Sequence, residues 1–239
     1  MHQTHAHQRH QSVVERLPFT ISIARSEDDI ASAIEIRRSA YGRHVPELAA
    51  TMTNADALDC QGGTVILLAK AKLDGAPIGT LRIQAGGPNP LLLERSVELP
   101  EPYQGARRAE ATRLGICVGR IGRVAKAALY KAFYLHCVAE DIEYMVVAGR
   151  HPVDRDYVGL RFRDVFDEGA MFPMAHAGNT PHRVLALRVP DVKRVWENPR
   201  HPLYRFFFES EHPDIQLERG MPEFVGAKSD EDVVSSASA

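Results

Sequence analysis

The spacing of apolar and polar residues changes repeatedly along this chain, and each change predicts an element. Phe19 to Ala24 alternates with period two, as a half-buried strand does. Ser26-Glu27-Asp28-Asp29 then places a hydroxyl three residues ahead of a carboxylate, a pattern that caps the first amides of a helix. In that helix Ile30, Ala33, Ile34, Arg37 and Tyr41 fall on one stripe, and the polar Arg37 and Tyr41 predict a C-terminal end that faces a site. Ala49 to Gly63 has no period and reads as irregular chain. Thr64 to Lys72 and Pro77 to Ala85 read as strands joined at Asp74-Gly75, a strong hairpin signal. Gly86-Gly87-Pro88-Asn89-Pro90 ends the second strand, and Leu91 to Gln104 reads as a loop with an extended piece.

A strand is predicted over Glu110 to Val118, where polar residues enter only at Glu110, Thr112 and Arg113. Ile121, Val124, Ala125, Ala128, Leu129, Ala132 and Phe133 then recur at helical spacing, predicting a helix to Tyr134. Tyr144 to Ala148 reads as a buried strand, Pro152 to Leu160 as a short helix and Arg161 to Phe166 as a strand. Arg183 to Val189 alternates as a last strand, and Val192 to Trp196 and Pro202 to Glu209 read as short helices. Met1 to Arg16 and Lys228 to Ala239 are polar and predict disordered tails, leaving residues 17–227 as one domain. The order predicts an α+β fold, with a mixed, mostly antiparallel central sheet flanked by helices.

Composition narrows the class. With a net charge of −2, the chain has no charge excess suited to coating nucleic acid. No apolar run approaches the roughly 18–20 residues that span a bilayer. The start lacks the apolar core of a secretory signal. Three widely spaced cysteines, Cys60, Cys117 and Cys137, sit in apolar contexts and read as reduced core residues. A cytoplasmic protein is the expectation. His2, His5, His7 and His10 could suggest a metal, but no neighbouring apolar residues would hold them in place, so no metal site is expected.

The chemistry concentrates in Arg108 to Tyr134. A strand enters a helix through Gly119-Arg120-Ile121-Gly122-Arg123, where unpaired amides and two arginines suit a phosphate. Just upstream, Glu110 is a candidate base, with Thr112 beside it on the same face. The competing reading of Glu110 is a strand glutamate paired with Arg107, Arg108 or Arg113. Arg113 falls on the opposite face by strict alternation and reaches the same site only if a bulge interrupts the strand. Cys117 has no histidine at nearby spacing and is not expected to be a nucleophile.

Order and residues together resemble the GNAT acyltransferase fold. Tyr157-Val158-Gly159-Leu160-Arg161-Phe162 looks like the Tyr-x-x-Leu-Gly-Phe segment of many such enzymes, with Arg161 in place of the glycine. The branch most similar handles long acyl chains: acyl-homoserine-lactone synthases and N-acyl amino acid synthases of the FeeM type. Arg37-x-x-x-Tyr41, Asp56-x-x-Asp59, Arg82 in Thr80-Leu81-Arg82-Ile83, and Glu110-Ala111-Thr112-Arg113 resemble that branch's motifs in order and approximate spacing.

The resemblance implies an N-acyltransferase that moves a medium or long acyl chain from a phosphopantetheine thioester to the amine of an amino acid or similar small amine. Glu110 would be the base and Tyr157 would protonate the leaving thiolate. Arg37, Tyr41, Asp56, Asp59, Arg82 and Arg113 would surround the acceptor, with a surface ion-pair network as the competing reading of the aspartates. Gly119, Arg120, Gly122 and Arg123 would bind the phosphopantetheine, and amides of Leu114 to Ile116 would face the thioester oxygen. The acyl chain would lie between splayed strands near Ile116 and Val146.

Starting at Arg120, the chain places Arg123 where the family's coenzyme A loop has its first glycine. That favours an acyl carrier protein as donor and partner over free acyl-CoA, and no further cofactor is expected. The lactone synthases' tryptophan has no match near the aspartates, which favours an amino acid over S-adenosylmethionine as acceptor. A lactone synthase, an acetyl-CoA-dependent acetyltransferase and a non-catalytic carrier-binding module remain the alternatives.

Overall fold

The computed structural model describes residues 12–87, 90–197 and 201–218. The histidine-rich start and Lys228 to Ala239 lie outside the described residues. The strands are β1 (Val13–Val14), β2 (Phe19–Ile23), β3 (Thr64–Ala71), β4 (Pro77–Ala85), β5 (Arg108–Ile116), β6 (Tyr144–Gly149), β7 (Arg163–Asp164), β8 (Met171–Met174), β9 (Thr180–Arg188), β10 (Ser210–Glu211) and β11 (Ile215–Gln216). The helices are α1 (Glu27–Gly42), α2 (Pro46–Ala50), α3 (Arg120–Ala139), α4 (Val153–Gly159) and α5 (Val192–Glu197). The main sheet runs β11-β2-β3-β4-β5-β6-β9-β7, and β8 also pairs with β9. Only β11–β2 and β5–β6 are parallel within it, so the α+β, mostly antiparallel architecture is as expected.

The two sheet faces differ in chemistry because side chains alternate along each strand. Leu67, Leu81, Ile83, Ala109, Ala111, Met145, Val147, Leu185 and Leu187 share one face and cluster with Ala125, Ala128, Leu129, Ala132 and Phe133 of α3. The cross-strand partners Ile66–Arg82, Gln84–Glu110, Arg82–Thr112 and Glu110–Val146 share the other face. That second face therefore carries Arg82, Gln84 and Glu110, all buried, and it is the face that holds the site. Helix α1 covers part of it, with Ala33 against Ile66 and Leu68, and the side chain of Ser26 caps its first turn by accepting from Asp29 N–H as the sequence predicts. The backbone of α1 comes so close to β5 that a Cβ at Gly115 would meet Arg37 Cα at 3.2 Å.

Two irregularities open the sheet. Thr80 lies opposite Gly115 and Arg82 opposite Thr112, so β5 takes three steps where β4 takes two. This is the bulge that Arg113 requires, and Arg113 takes a left-handed φ of 55° within it. Pairing of β5 with β6 stops at Ala111–Val147, leaving Thr112 to Ile116 without a strand partner on that edge among the described residues.

Several local expectations are corrected. Val13–Val14, assigned above to the tail, pair with Ser210–Glu211 because the backbone there meets an unpaired strand edge. Pro46 starts the short helix α2 just ahead of the irregular stretch. Leu91 to Gln104 contains no strand. Its apolar run cannot sit in water, so Leu91, Leu93 and Leu99 are buried under the second face with Val146, Val184 and Ala186. The strand expected over Arg161 to Phe166 shrinks to Arg163–Asp164, because Arg161 turns the chain out of α4 with a φ of 70°. The hairpin partner β8 was not foreseen; Pro173 interrupts its pattern.

Candidate active site

Where β5 and β6 part, a cavity of about 110 Å³ opens. Glu110, Thr112, Arg113 and Leu114 line it from β5, Tyr41 from α1, Val45 and Leu48 from the α2 region, and Tyr157 from α4. Leu92 closes its inner side, and Arg150, His176 and His182 form the far wall.

Glu110 is fully buried. One carboxylate oxygen, Oε2, accepts from Leu93 N–H at 3.0 Å, and Oε1 has no partner among the described residues. Burial raises its pKa from 4.5 to about 7, against the opposing pull of the Leu93 amide and the Arg82 charge. Glu110 pairs with none of the three nearby arginines: Arg107 meets Asp141, Arg108 meets Glu94 and Arg113 meets Asp56. A carboxylate poised near neutrality suits a general base.

Of the six residues expected around the acceptor, the structure brings only Tyr41 and Arg113 to the cavity. Arg37, Asp56, Asp59 and Arg82 form an ion-pair network beside it. Asp59 accepts from Arg37 Nη1 at 2.8 Å through both oxygens and from Arg82 Nη1 at 3.2 Å. Asp56 accepts from Arg82 Nη1 at 2.7 Å and pairs with Arg113 at 3.5 Å. The Asp-x-x-Asp spacing has a local cause: each aspartate accepts the other's backbone N–H at 3.1 Å, closing a tight turn. The network is mostly buried, with Arg82, Asp59 and Arg37 side chains at 0%, 1% and 3% exposure, unlike a surface array. Burial works against the charge of Asp56, but Arg82 and Arg113 outweigh it and hold the carboxyl below its ordinary pKa. Arg82 Nε also donates to Thr112 Oγ1 at 2.9 Å, which fixes Thr112 in place.

Tyr157 sits between Tyr130 and Phe162, and its ring is so close to β6 that a Cβ at Gly149 would meet it at 3.0 Å. Burial pushes its phenol upward, so it keeps its proton at neutral pH. The four residues expected at the phosphopantetheine lie at the start of α3. Gly119, at φ 101°, is its N-cap and supplies no side-chain cap, and no acid occupies the first turn. Arg120 and Arg123 stand exposed there, against the usual preference of a helix N-terminus for acids. Gly122 is required by space, since a Cβ would lie 2.0 Å from the Cys117 carbonyl oxygen. Leu114 and Ala148 line the cleft, whereas Val146 is buried among Leu91, Leu93 and Val184.

Sequence reasoning missed the far wall. His182 Nδ1 lies 2.7 Å from Thr180 O, and its ring centroid is 6.3 Å from that of His176. Burial lowers both imidazoles, His176 to about 4 with help from the neighbouring His182, so both are neutral at physiological pH. Extending the alternation of β9 back to residue 182 would have placed this histidine on the face of Val184 and Ala186.

No protein-family model and no curated protein matches the chain. Solved structures do. FeeM, an N-acyl amino acid synthase from uncultured soil microbes, superposes with a TM-score of 0.59 at 17% identity, covering 79% of this chain and 96% of its own. The CoA-dependent acyl-homoserine lactone synthase BjaI, with SAM and isopentyl-CoA, gives 0.52 at 15% identity, covering 81% and 93%. The AHL synthase LasI gives 0.50 at 15% identity, covering 71% and 88%. With the sheet order and the parting of β5 from β6, these likenesses show that the chain has the GNAT acyltransferase fold.

Proposed function

We propose that the chain is an N-acyltransferase that moves a medium or long acyl chain from an acyl carrier protein to the amine of an amino acid, by direct attack on the thioester. One observation carries this reading: a fully buried carboxylate with a free oxygen, poised near pH 7, lines the cleft where β5 and β6 part. The amine nitrogen attacks the thioester carbon and gives a proton to Glu110 as the C–N bond forms and the C–S bond breaks. The amides of Leu114 and Ile116 lie on the edge of β5 that β6 leaves unpaired, since that of Cys117 donates to Ile78 of β4 and alternate amides share an edge, and they face the developing oxyanion. The phenol of Tyr157 donates to the leaving sulfur.

The donor's phosphate lies at the start of α3, where Arg120, Arg123 and uncapped amides supply the positive charge. One phosphate suits this short turn, which favours a carrier-borne phosphopantetheine. Val45, Leu48, Leu92 and Val153 give the acyl chain an apolar wall. Arg37, Asp59 and Arg82 serve as the frame that sets Thr112 and Arg113.

Product mass spectrometry tests the reading. The protein is mixed with acylated carrier protein of several chain lengths, matched acyl-CoAs, the twenty amino acids and S-adenosylmethionine. An N-acyl amino acid formed from the carrier is expected. A lactone product would move the protein to the autoinducer synthases, turnover with CoA alone would remove the carrier, and carrier binding without turnover would leave a binding module.

A further inference from the structure

The cavity's two long walls differ. Glu110 lines one, and the end of the β6–β9 ladder forms the other. There Gly149 lies opposite Arg183, and Arg150 and His182 are the next residues beyond that pair. Both line the cavity. The side chain of Arg150 has no hydrogen bond or ion pair among the described residues. Its neighbours differ: Arg183 is held by Asp164 and Asp154, and Arg113 by Asp56. A guanidinium that lines a cavity and lacks a carboxylate is a ready fork for a planar anion.

His182 supplies the complementary group. Its Nδ1 contacts a backbone carbonyl, which only accepts, so Nδ1 carries the proton and Nε2 carries the lone pair. Nε2 has no protein partner among the described residues. The wall therefore offers one cation and, beside it, one fixed acceptor. An amine bearing a carboxylate matches that pair.

We infer that Arg150 and His182 form the acceptor subsite: Arg150 takes the carboxylate of an amino acid through two N–H···O bonds, and His182 Nε2 accepts one N–H of its amine. This rests on the acyl-transfer reading. A primary amine has two hydrogens. His182 holds the one that remains as the amide N–H, and Glu110 receives the one that leaves, so the nitrogen lone pair points to the thioester carbon between them.

The experiment pairs each of the twenty amino acids with its carboxamide. Wild type is expected to favour the acid by about 10- to 100-fold in kcat/KM, the range for hydrogen bonds to a charged group. Arg150→Gln breaks no hydrogen bond or ion pair among the described residues and should bring that preference to within about twofold. Arg150→Lys, which keeps the charge without the fork, should fall between. Equal use of acid and carboxamide by wild type, or a full preference kept in Arg150→Gln, overturns the assignment. Calorimetric titration of the same pairs without donor separates the two readings. Acid-selective binding that Arg150→Gln abolishes, with no turnover, would sink the transfer reading and keep the subsite. Turnover of amines without acid-selective binding would do the reverse.

Discussion

Replacing Glu110 with glutamine should make the protein more stable and less active, and the gain should depend on pH. Burial raises the Glu110 pKa from 4.5 to about 7. Below pH 4.5 the carboxyl is protonated in both the folded and the unfolded chain, and no difference arises. Between 4.5 and 7 the unfolded chain has lost the proton that the folded chain still holds, so stability falls as pH rises. Above 7 both states are ionised and the full cost of the buried charge is present, about 3 kcal/mol at about 1.4 kcal/mol per unit. Glutamine carries no charge, keeps the shape and can still accept from Leu93 N–H. Glu110→Gln should therefore exceed wild type by less than about 1 kcal/mol at pH 5 and by about 3 kcal/mol at pH 8. For a chain of this size that is roughly 6–12 °C in Tm at pH 8. Thermal and urea melts at pH 5, 6, 7 and 8 read it directly. Turnover should fall by about 10²–10⁴ in the same variant, and wild-type kcat/KM should rise through a limb near pH 7. A stability difference that is flat with pH, or a variant no more stable than wild type at pH 8, would refute the buried-charge reasoning. Unchanged turnover would remove Glu110 as the base.

Three further outcomes follow from the surrounding geometry. Asp59→Ala strands the buried Arg37 and weakens the hold on Arg82, and should cost about 3–5 kcal/mol in chemical denaturation; a loss below about 1 kcal/mol would mean that the network contributes little. Arg120→Glu combined with Arg123→Glu puts acids where a helix N-terminus favours them, so Tm should hold or rise slightly while donor KM rises about tenfold or more at low salt. An unchanged donor KM would move the phosphate elsewhere. Gly122→Ala forces a Cβ into the Cys117 carbonyl and should lose about 1–3 kcal/mol or more by thermal melt; a neutral effect would show that the turn before α3 can shift.

Much of this molecule follows from local rules. Period-two alternation placed β2, β4 and most of β9, and helical spacing placed the apolar face of α3. The clash between alternation and the joint use of Glu110 and Arg113 demanded a bulge, and β5 has one. The reciprocal turn at Asp56 and Asp59 spans three residues, so its spacing was visible in the sequence. Partners distant along the chain were not. Leu93 meets Glu110 across 17 residues and Arg37 meets Asp59 across 22, and nothing in the pattern says which charge answers which. Alternation assigns a side chain to a face but does not name what covers that face. Sequence by itself determined the longer strands and helices and the candidate carboxylate, and the family resemblance added the bulge. The tertiary structure decided that Arg37, Asp56, Asp59 and Arg82 neutralise one another in a mostly buried frame, that a leucine-rich loop seals Glu110, and that Arg150 and His182 reach the same cavity. Those outcomes depend on distances between strands and loops that meet only when the sheet is assembled, and pairwise charge and burial energies are set by those distances.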